Sequence, residues 1–183
     1  MRKNVLLPLA EGFEEIEAVT LIDILRRADV NVVTVSLHAS LQVKGAHAIS
    51  VVADAFLSEQ NPESFDMIVL PGGLPGATNL AADATVQRWL QTFDAQGKEI
   101  AAICAAPYAL YTAGVLKERF TCYPDFHSHI PQKGYDATEK VLKTMNVTTS
   151  QGPSTAMLFA LSLVETLCSK AVADELSKAL LFS

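Results

Sequence analysis

Four short, almost wholly apolar runs constrain this chain more than any other feature. NVLLPLA (4–10), VNVVTVSL (30–37), DMIVLPGG (66–73) and EIAAIC (99–104) have the length of strands and lack the alternation of a half-solvated sheet. Such runs are buried on both faces. Helical patterns separate them. From Glu14 to Ala28, Ile16, Val19, Ile22 (or Leu21) and Leu25 recur at helical spacing, and a second pattern runs from about Ala84 to Gln96. PYALYTAG starts a helix that Gly114 can end, and 154–167 and 171–181 read as two final helices. ISVVADA (49–55), RFTCY (119–123) and NVTTSQ (146–151) read as further strands, and 124–140 as a surface loop. Strands alternating with helices predict an α/β fold, doubly wound, with a mostly parallel sheet covered by helices on both faces.

The 183 residues suffice for one domain, 1–183, and are too few for two comfortable ones. Half are hydrophobic and only 19% charged, as a doubly covered sheet requires. A net charge of −6 with no basic run argues against nucleic acid as a partner. Three cysteines without CxxC spacing argue against a disulfide framework and for a reducing cytoplasm. The apolar run after Met1-Arg2-Lys3 is too short for a signal peptide, and Glu11, Glu14 and Glu15 follow at once. No segment approaches a membrane span, so a soluble cytoplasmic protein is expected.

In an open α/β sheet, sites form beyond the carboxyl ends of the strands. Three such ends carry unusual residues: the acids Glu14, Glu15 and Glu17, the pair Gly72-Gly73, and Cys104. AAICAAP (101–107) makes an abrupt strand-to-helix passage with small residues around the cysteine. That is what a nucleophile elbow needs, because the reactive residue sits on a strained turn. The following helix would aim its N-terminal N–H groups at the sulfur and bring the thiol's pKa into the range of roughly 3.5–7.5. An inert, packed cysteine fits the same pattern. PGGLPGA (71–77) has no phosphate-loop spacing; it is either a plain turn or the source of an oxyanion-type N–H donor. In GFEEIEA (12–18) the acids suit a helix N-terminus. Glu14 and Glu17 also share a face, so one acid can point inward, where burial would fit it for proton transfer. His127 and His129 lack companion ligands at metal-site spacing, and no metal or cofactor is expected. No GxSxG occurs.

LAEGFEEIEAV, VLPGGLPGATNL, AAICAAP and TSQGPSTA follow in order over nearly the whole chain. Together they closely resemble the ThiJ/PfpI superfamily, in the branch of the parkinsonism-associated protein deglycase and the bacterial YajL-like proteins. The resemblance implies a flavodoxin-like fold, a homodimer, Cys104 on the elbow and Glu17 as the buried glutamate beside it. It also implies backbone oxyanion donors at Gly73 and Ala105. Glu14 and Tyr123 are candidate accessory groups. Tyr123, in TCYP, stands where triad-bearing members carry a histidine, which leaves Glu17 as the proton carrier. Ala105 follows the cysteine where the protease-like branch has histidine, so peptidase activity is disfavoured. Glutamine amidotransfer is disfavoured too, because its GxCxG elbow is absent. His47 and Gln151 stand where some relatives carry arginines.

Two functions follow from the resemblance. One is a cysteine-dependent, cofactor-free glyoxalase or deglycase acting on methylglyoxal-like dicarbonyls or their glycated adducts, in oxidative and carbonyl stress protection. The other is a redox-sensing chaperone that holds unfolded proteins under control of Cys104 oxidation, without turnover.

Overall fold

The first apolar run forms β1 (Asn4–Leu9), buried at every residue after Asn4. A computed structural model describes residues 2–182; Met1 and Ser183, the ends of the expected domain, lie outside the described residues. From β1 the chain passes through α1 (Glu15–Arg27), β2 (Asn31–Ser36), β3 (Gln42–Lys44), β4 (Ser50–Val52), β5 (Ala55–Phe56) and β6 (Met67–Leu70). It continues through α2 (Gly76–Ala82), α3 (Ala84–Ala95), β7 (Glu99–Ile103), α4 (Pro107–Thr112), β8 (Val141–Thr144), β9 (Val147–Ser150), α5 (Ala156–Leu167) and α6 (Lys170–Ala179).

Seven strands form one sheet in the order β5-β2-β1-β6-β7-β9-β8, parallel except for the β8–β9 hairpin. Its central order, β2-β1-β6-β7-β9, is that of the flavodoxin-like fold. Alternate residues of β1 feed two cores. Leu6 packs with α2, α3 and α4 on one face, while Val5, Leu7 and Leu9 pack with α1 and α5 on the other. The carboxyl ends of β1, β6 and β7 therefore meet in the middle of one sheet edge. No helix among the described residues is long and apolar enough to cross a membrane.

The structure departs from the sequence reading in several places. ISVVADA is not one strand. It divides at Asp54, whose carboxylate accepts from the Thr34 N–H (2.9 Å) and hydroxyl (2.7 Å). Consequently β4 pairs with β3 in a separate two-stranded ribbon, while β5 joins the main sheet. RFTCY forms no strand, because the Thr121 N–H is taken by the Thr149 hydroxyl (3.0 Å), and only an isolated bridge joins Phe120 to Tyr135. The loop 124–140 opens with a 3-10 turn (Pro124–His129) and is tied to the core by buried Ile130. On α1 the apolar face is shifted: Leu21 and Leu25 lie on it as expected, Ile16 and Val19 do not. Leu21, Ile24 and Leu25 are buried beside Glu17 and Ala18, whereas Ile16 and Val19 are 58% and 48% exposed.

Candidate active site

Cys104 follows the last residue of β7 with φ at +65°, a left-handed conformation that costs a non-glycine residue about 1–2 kcal/mol. Both of its backbone groups are tied down. Its N–H donates to Ser150 O (3.0 Å) at the end of β9, and its carbonyl accepts from the Tyr123 N–H (2.8 Å). The end of β9 and the loop residue Tyr123 thus hold the strained turn, and the side chain projects from the sheet edge.

Glu17 comes to the same point from α1. It is wholly buried, and its Oε2 accepts from the Gly72 N–H at 2.8 Å. Its Oε1 has no hydrogen-bond partner, and the carboxyl interacts with the Cys104 thiol. Burial raises its pKa to about 7, and the Gly72 N–H only partly opposes this. Gly72 must be glycine for the three groups to meet. A Cβ there would lie 2.6 Å from Cys104 Cβ and 2.7 Å from Glu17 Oε2. Gly73, at φ +87°, has no room for a side chain against the backbone of Gly12 and Glu14.

The sulfur does not follow the expectation of a depressed pKa. Burial and the negative charge of Glu17 push the thiol well above its ordinary value, while the Gly73 and Ala105 N–H groups pull the other way. The helix that was to lower it, α4, has only six residues, and its macrodipole is correspondingly small. The contribution from Glu17 vanishes when that carboxyl is protonated, so the pair shares its protons.

Glu14 stands at the mouth of the site, away from the sulfur. Its N–H donates to Gly72 O (2.9 Å), and its side chain lines the cleft beside His47. Glu15, buried against the β3–β4 ribbon, accepts from the His47 N–H (2.7 Å), the His47 ring (2.9 Å) and the Ile49 N–H (3.3 Å). Burial alone would raise Glu15, but the His47 ring and these N–H donors outweigh it and lower its pKa. Glu15 in turn raises the pKa of His47. Among the described residues this trio is the one cluster of acidic, histidine and cysteine side chains close enough to share a cation. The oxygens of Glu15 are already spent on the pairing with His47 and Ile49.

Tyr123 lines the cleft 44% exposed, its ring close to Gly152. His127 and His129 do not line it; they stack on Tyr135 and Phe126. The Gln151 side chain bonds Ala137 O outside the cleft (2.9 Å). A larger concavity, of about 670 Å³ between β8 and α5, has no cysteine or histidine in its lining. Sequence reasoning missed the anchoring by Ser150 and the Glu15–His47 pair. It missed the walls formed by Leu74 and Phe126 as well. TSQGP, at a strand's carboxyl end, was the available signal for Ser150.

A parallel sheet carrying a strained cysteine at its carboxyl edge, with a buried carboxyl beside the sulfur, defines a class of flavodoxin-like proteins with an elbow cysteine. The DJ-1/PfpI family model matches residues 3–166, and the chain belongs to that family. Protein DJ-1 homolog A of Arabidopsis thaliana is 40% identical over 182 residues, 98% of this chain. The chain spans only 46% of that relative's length. The glutathione-independent glyoxalase DJR-1.2 of Caenorhabditis elegans is 37% identical over 89% of this chain and 87% of its own. A solved structure of oxidised Toxoplasma gondii DJ-1 superposes with a TM-score of 0.93 at 40% identity, covering 99% of both chains.

Proposed function

We propose that the chain is a cofactor-free glyoxalase or deglycase that uses Cys104 on methylglyoxal-like dicarbonyls or their adducts, in oxidative and carbonyl stress protection. The observation that carries this reading is the free Oε1 of fully buried Glu17 beside a cysteine on a strained turn. A relative named as a glutathione-independent glyoxalase supports it.

In this reading the sulfur attacks the aldehyde carbon, and the thiol proton passes to Glu17 as the C–S bond forms. The Gly73 and Ala105 N–H groups receive the developing oxyanion. Glu17 passes that proton on to the oxygen, which gives a hemithioacetal and leaves the carboxylate ionised. Glu17 then takes the proton from the former aldehyde carbon and returns one to the neighbouring carbon, converting the adduct into a thioester of lactate. Water cleaves the thioester and restores the thiol. The sum is methylglyoxal plus water to lactate, with no external oxidant or reductant. The direct test is lactate formation from methylglyoxal by purified protein without glutathione, with Cys104→Ala as control. Lactate from the wild type alone supports the reading; none from either sinks it.

The protein is further proposed to work in the cytoplasm as a homodimer. Ile16 and Val19 on α1 and Ile49 and Val52 by the ribbon are large, exposed apolar residues. The Ile49 N–H bonds Glu15, which places these two elements side by side. The same exposed residues favour the second reading, a Cys104-controlled holdase for unfolded chains. Suppression of client aggregation by Cys104→Ala protein that forms no lactate would favour it.

A further inference from the structure

We propose that the Cys104 cleft prefers neutral α-oxoaldehydes bearing an aryl or branched alkyl substituent on the ketone carbon to methylglyoxal itself. This deepens the glyoxalase reading and rests on it.

The first observation is size. The cleft encloses about 620 Å³, within the range filled by ligands far larger than methylglyoxal. The reactive groups form its floor, Cys104 and Ala105 in the lining with Glu17 and Gly73 behind them, and Glu14 and His47 are the other ionisable residues that line it. A small oxoaldehyde seated on that floor leaves the upper walls wet.

The second is the chemistry of those walls. Leu74, Tyr123, Phe126 and Pro153 line them. Leu74 is 52% exposed, an apolar surface that gains by being covered. Phe126 is fixed in place, edge-on to Tyr108 (5.9 Å) and stacked on His129 (4.6 Å). Gly152 lets the Tyr123 ring lie close, since a Cβ there would come within 3.3 Å of it. Rigid aromatic walls lose little entropy when they receive a flat apolar group.

The third is charge. The one ionic cluster lining the cleft is formed by Glu14 and His47, with Glu15 behind. Two carboxylates against a single imidazole leave the mouth negative, at −1 or −2. An oxoaldehyde with an anionic tail is repelled there, whereas an uncharged ring is not.

The test uses two α-halo ketones, chloroacetone and phenacyl chloride, in which Sγ displaces chloride and the C–S bond replaces the C–Cl bond. Their rates of Cys104 alkylation are divided by their rates with free glutathione. The phenyl compound should be favoured by about ten-fold or more, and Leu74→Ala or Phe126→Ala should each cut that preference at least by half. The kcat/KM for phenylglyoxal should exceed that for methylglyoxal by a similar factor. A normalised alkylation ratio near one in the wild type overturns the inference, whatever the turnover. A high ratio with turnover of neither oxoaldehyde overturns the glyoxalase reading and leaves the apolar site supported.

Discussion

The Gly72 N–H holds one oxygen of Glu17 at 2.8 Å and leaves the other without a partner, in a carboxyl that meets the thiol of Cys104. That division gives the carboxyl a fixed orientation and one oxygen able to carry a proton. A glutamine at position 17 can still accept from Gly72 but cannot exchange a proton. Glu17→Gln should therefore fold and lose about 10²–10⁴-fold in kcat. It should also lower the pKa of Cys104, because the charge that opposes the thiolate is gone. Thiolate ultraviolet absorbance against pH reads the second effect, and an unchanged titration would separate the two groups.

The same carboxyl sets a pH dependence. Glu17 must be ionised to accept the thiol proton, so kcat/KM should rise with pH through about 7. Stability should move the opposite way. The folded state holds this proton more tightly than the unfolded chain, so the stabilisation is complete below about 4.5 and is lost as pH rises to about 7. The displacement corresponds to roughly 3 kcal/mol. Glu17→Gln should accordingly unfold at higher temperature than wild type above pH 7, with the difference shrinking toward pH 4.5. Equal melting temperatures across that range would show that the buried carboxyl is solvated in solution.

Gly72→Ala tests the packing of the site. Its Cβ would meet Cys104 Cβ at 2.6 Å, Glu17 Oε2 at 2.7 Å and Ile103 O at 2.9 Å. None of these is the far end of a flexible exposed chain, so the sulfur and carboxyl must separate. We expect a loss of stability of about 1–3 kcal/mol and a drop in kcat of at least ten-fold. Denaturant unfolding and steady-state kinetics measure the two.

Much of this arrangement is legible in the sequence, for local reasons. AAICAAP shows its elbow because a strand, a small-residue turn and a proline at the helix start are neighbours in the chain. The apolar runs give the parallel sheet because burial on both faces leaves no polar alternation. What is hidden depends on distant partners. Nothing near Glu15 announces His47, which reaches it only after the β3–β4 ribbon folds over α1. RFTCY has strand composition, but the Thr149 hydroxyl takes a backbone donor that a strand needs. Helical spacing alone leaves the inward acid as one of a pair, Glu14 or Glu17; the family resemblance singles out Glu17, and the structure buries it. The sign of the thiol's shift was misread because burial and an adjacent charge outweigh a helix of six residues.

The φ of +65° at Cys104 carries its own consequence. Cys104→Ala removes the sulfur and keeps the strained backbone, whereas Cys104→Gly removes both. The glycine variant should therefore be the more stable of the two, by about 1 kcal/mol, against the usual order of alanine over glycine. Chemical denaturation of the pair checks this. Alanine at least as stable as glycine would mean that the turn relaxes once the thiol is gone.

Cys104 should also be the thiol that peroxide oxidises most readily, and the product should be a sulfinic acid. The competing thiols differ in kind. Cys122 is fully buried, and burial pushes its pKa up to about 12. Cys168 is exposed, but burial of its sulfur and nearby Asp29 raise its pKa; that carboxylate is paired with Arg2 (3.2 Å), and the thiol donates to Ala28 O (3.8 Å). Cys104 is raised as well, yet its neighbouring carboxyl, Glu17, is buried and placed to take its proton when the sulfur attacks. Once oxidised, its oxygens face the Gly73 and Ala105 N–H groups and a Glu17 that can donate a proton. These donors stabilise the sulfinate and halt the reaction short of the sulfonic acid. All three cysteines are free in the structure, so no resolving thiol diverts the sulfenic acid into a disulfide. Peptide mass mapping after mild peroxide should find two added oxygens on the peptide containing Cys104. The rate should fall below pH 7 as Glu17 takes up its proton, and Glu17→Gln should abolish that pH dependence. A dominant adduct on Cys168 would show that exposure outweighs the adjacent carboxyl in setting reactivity.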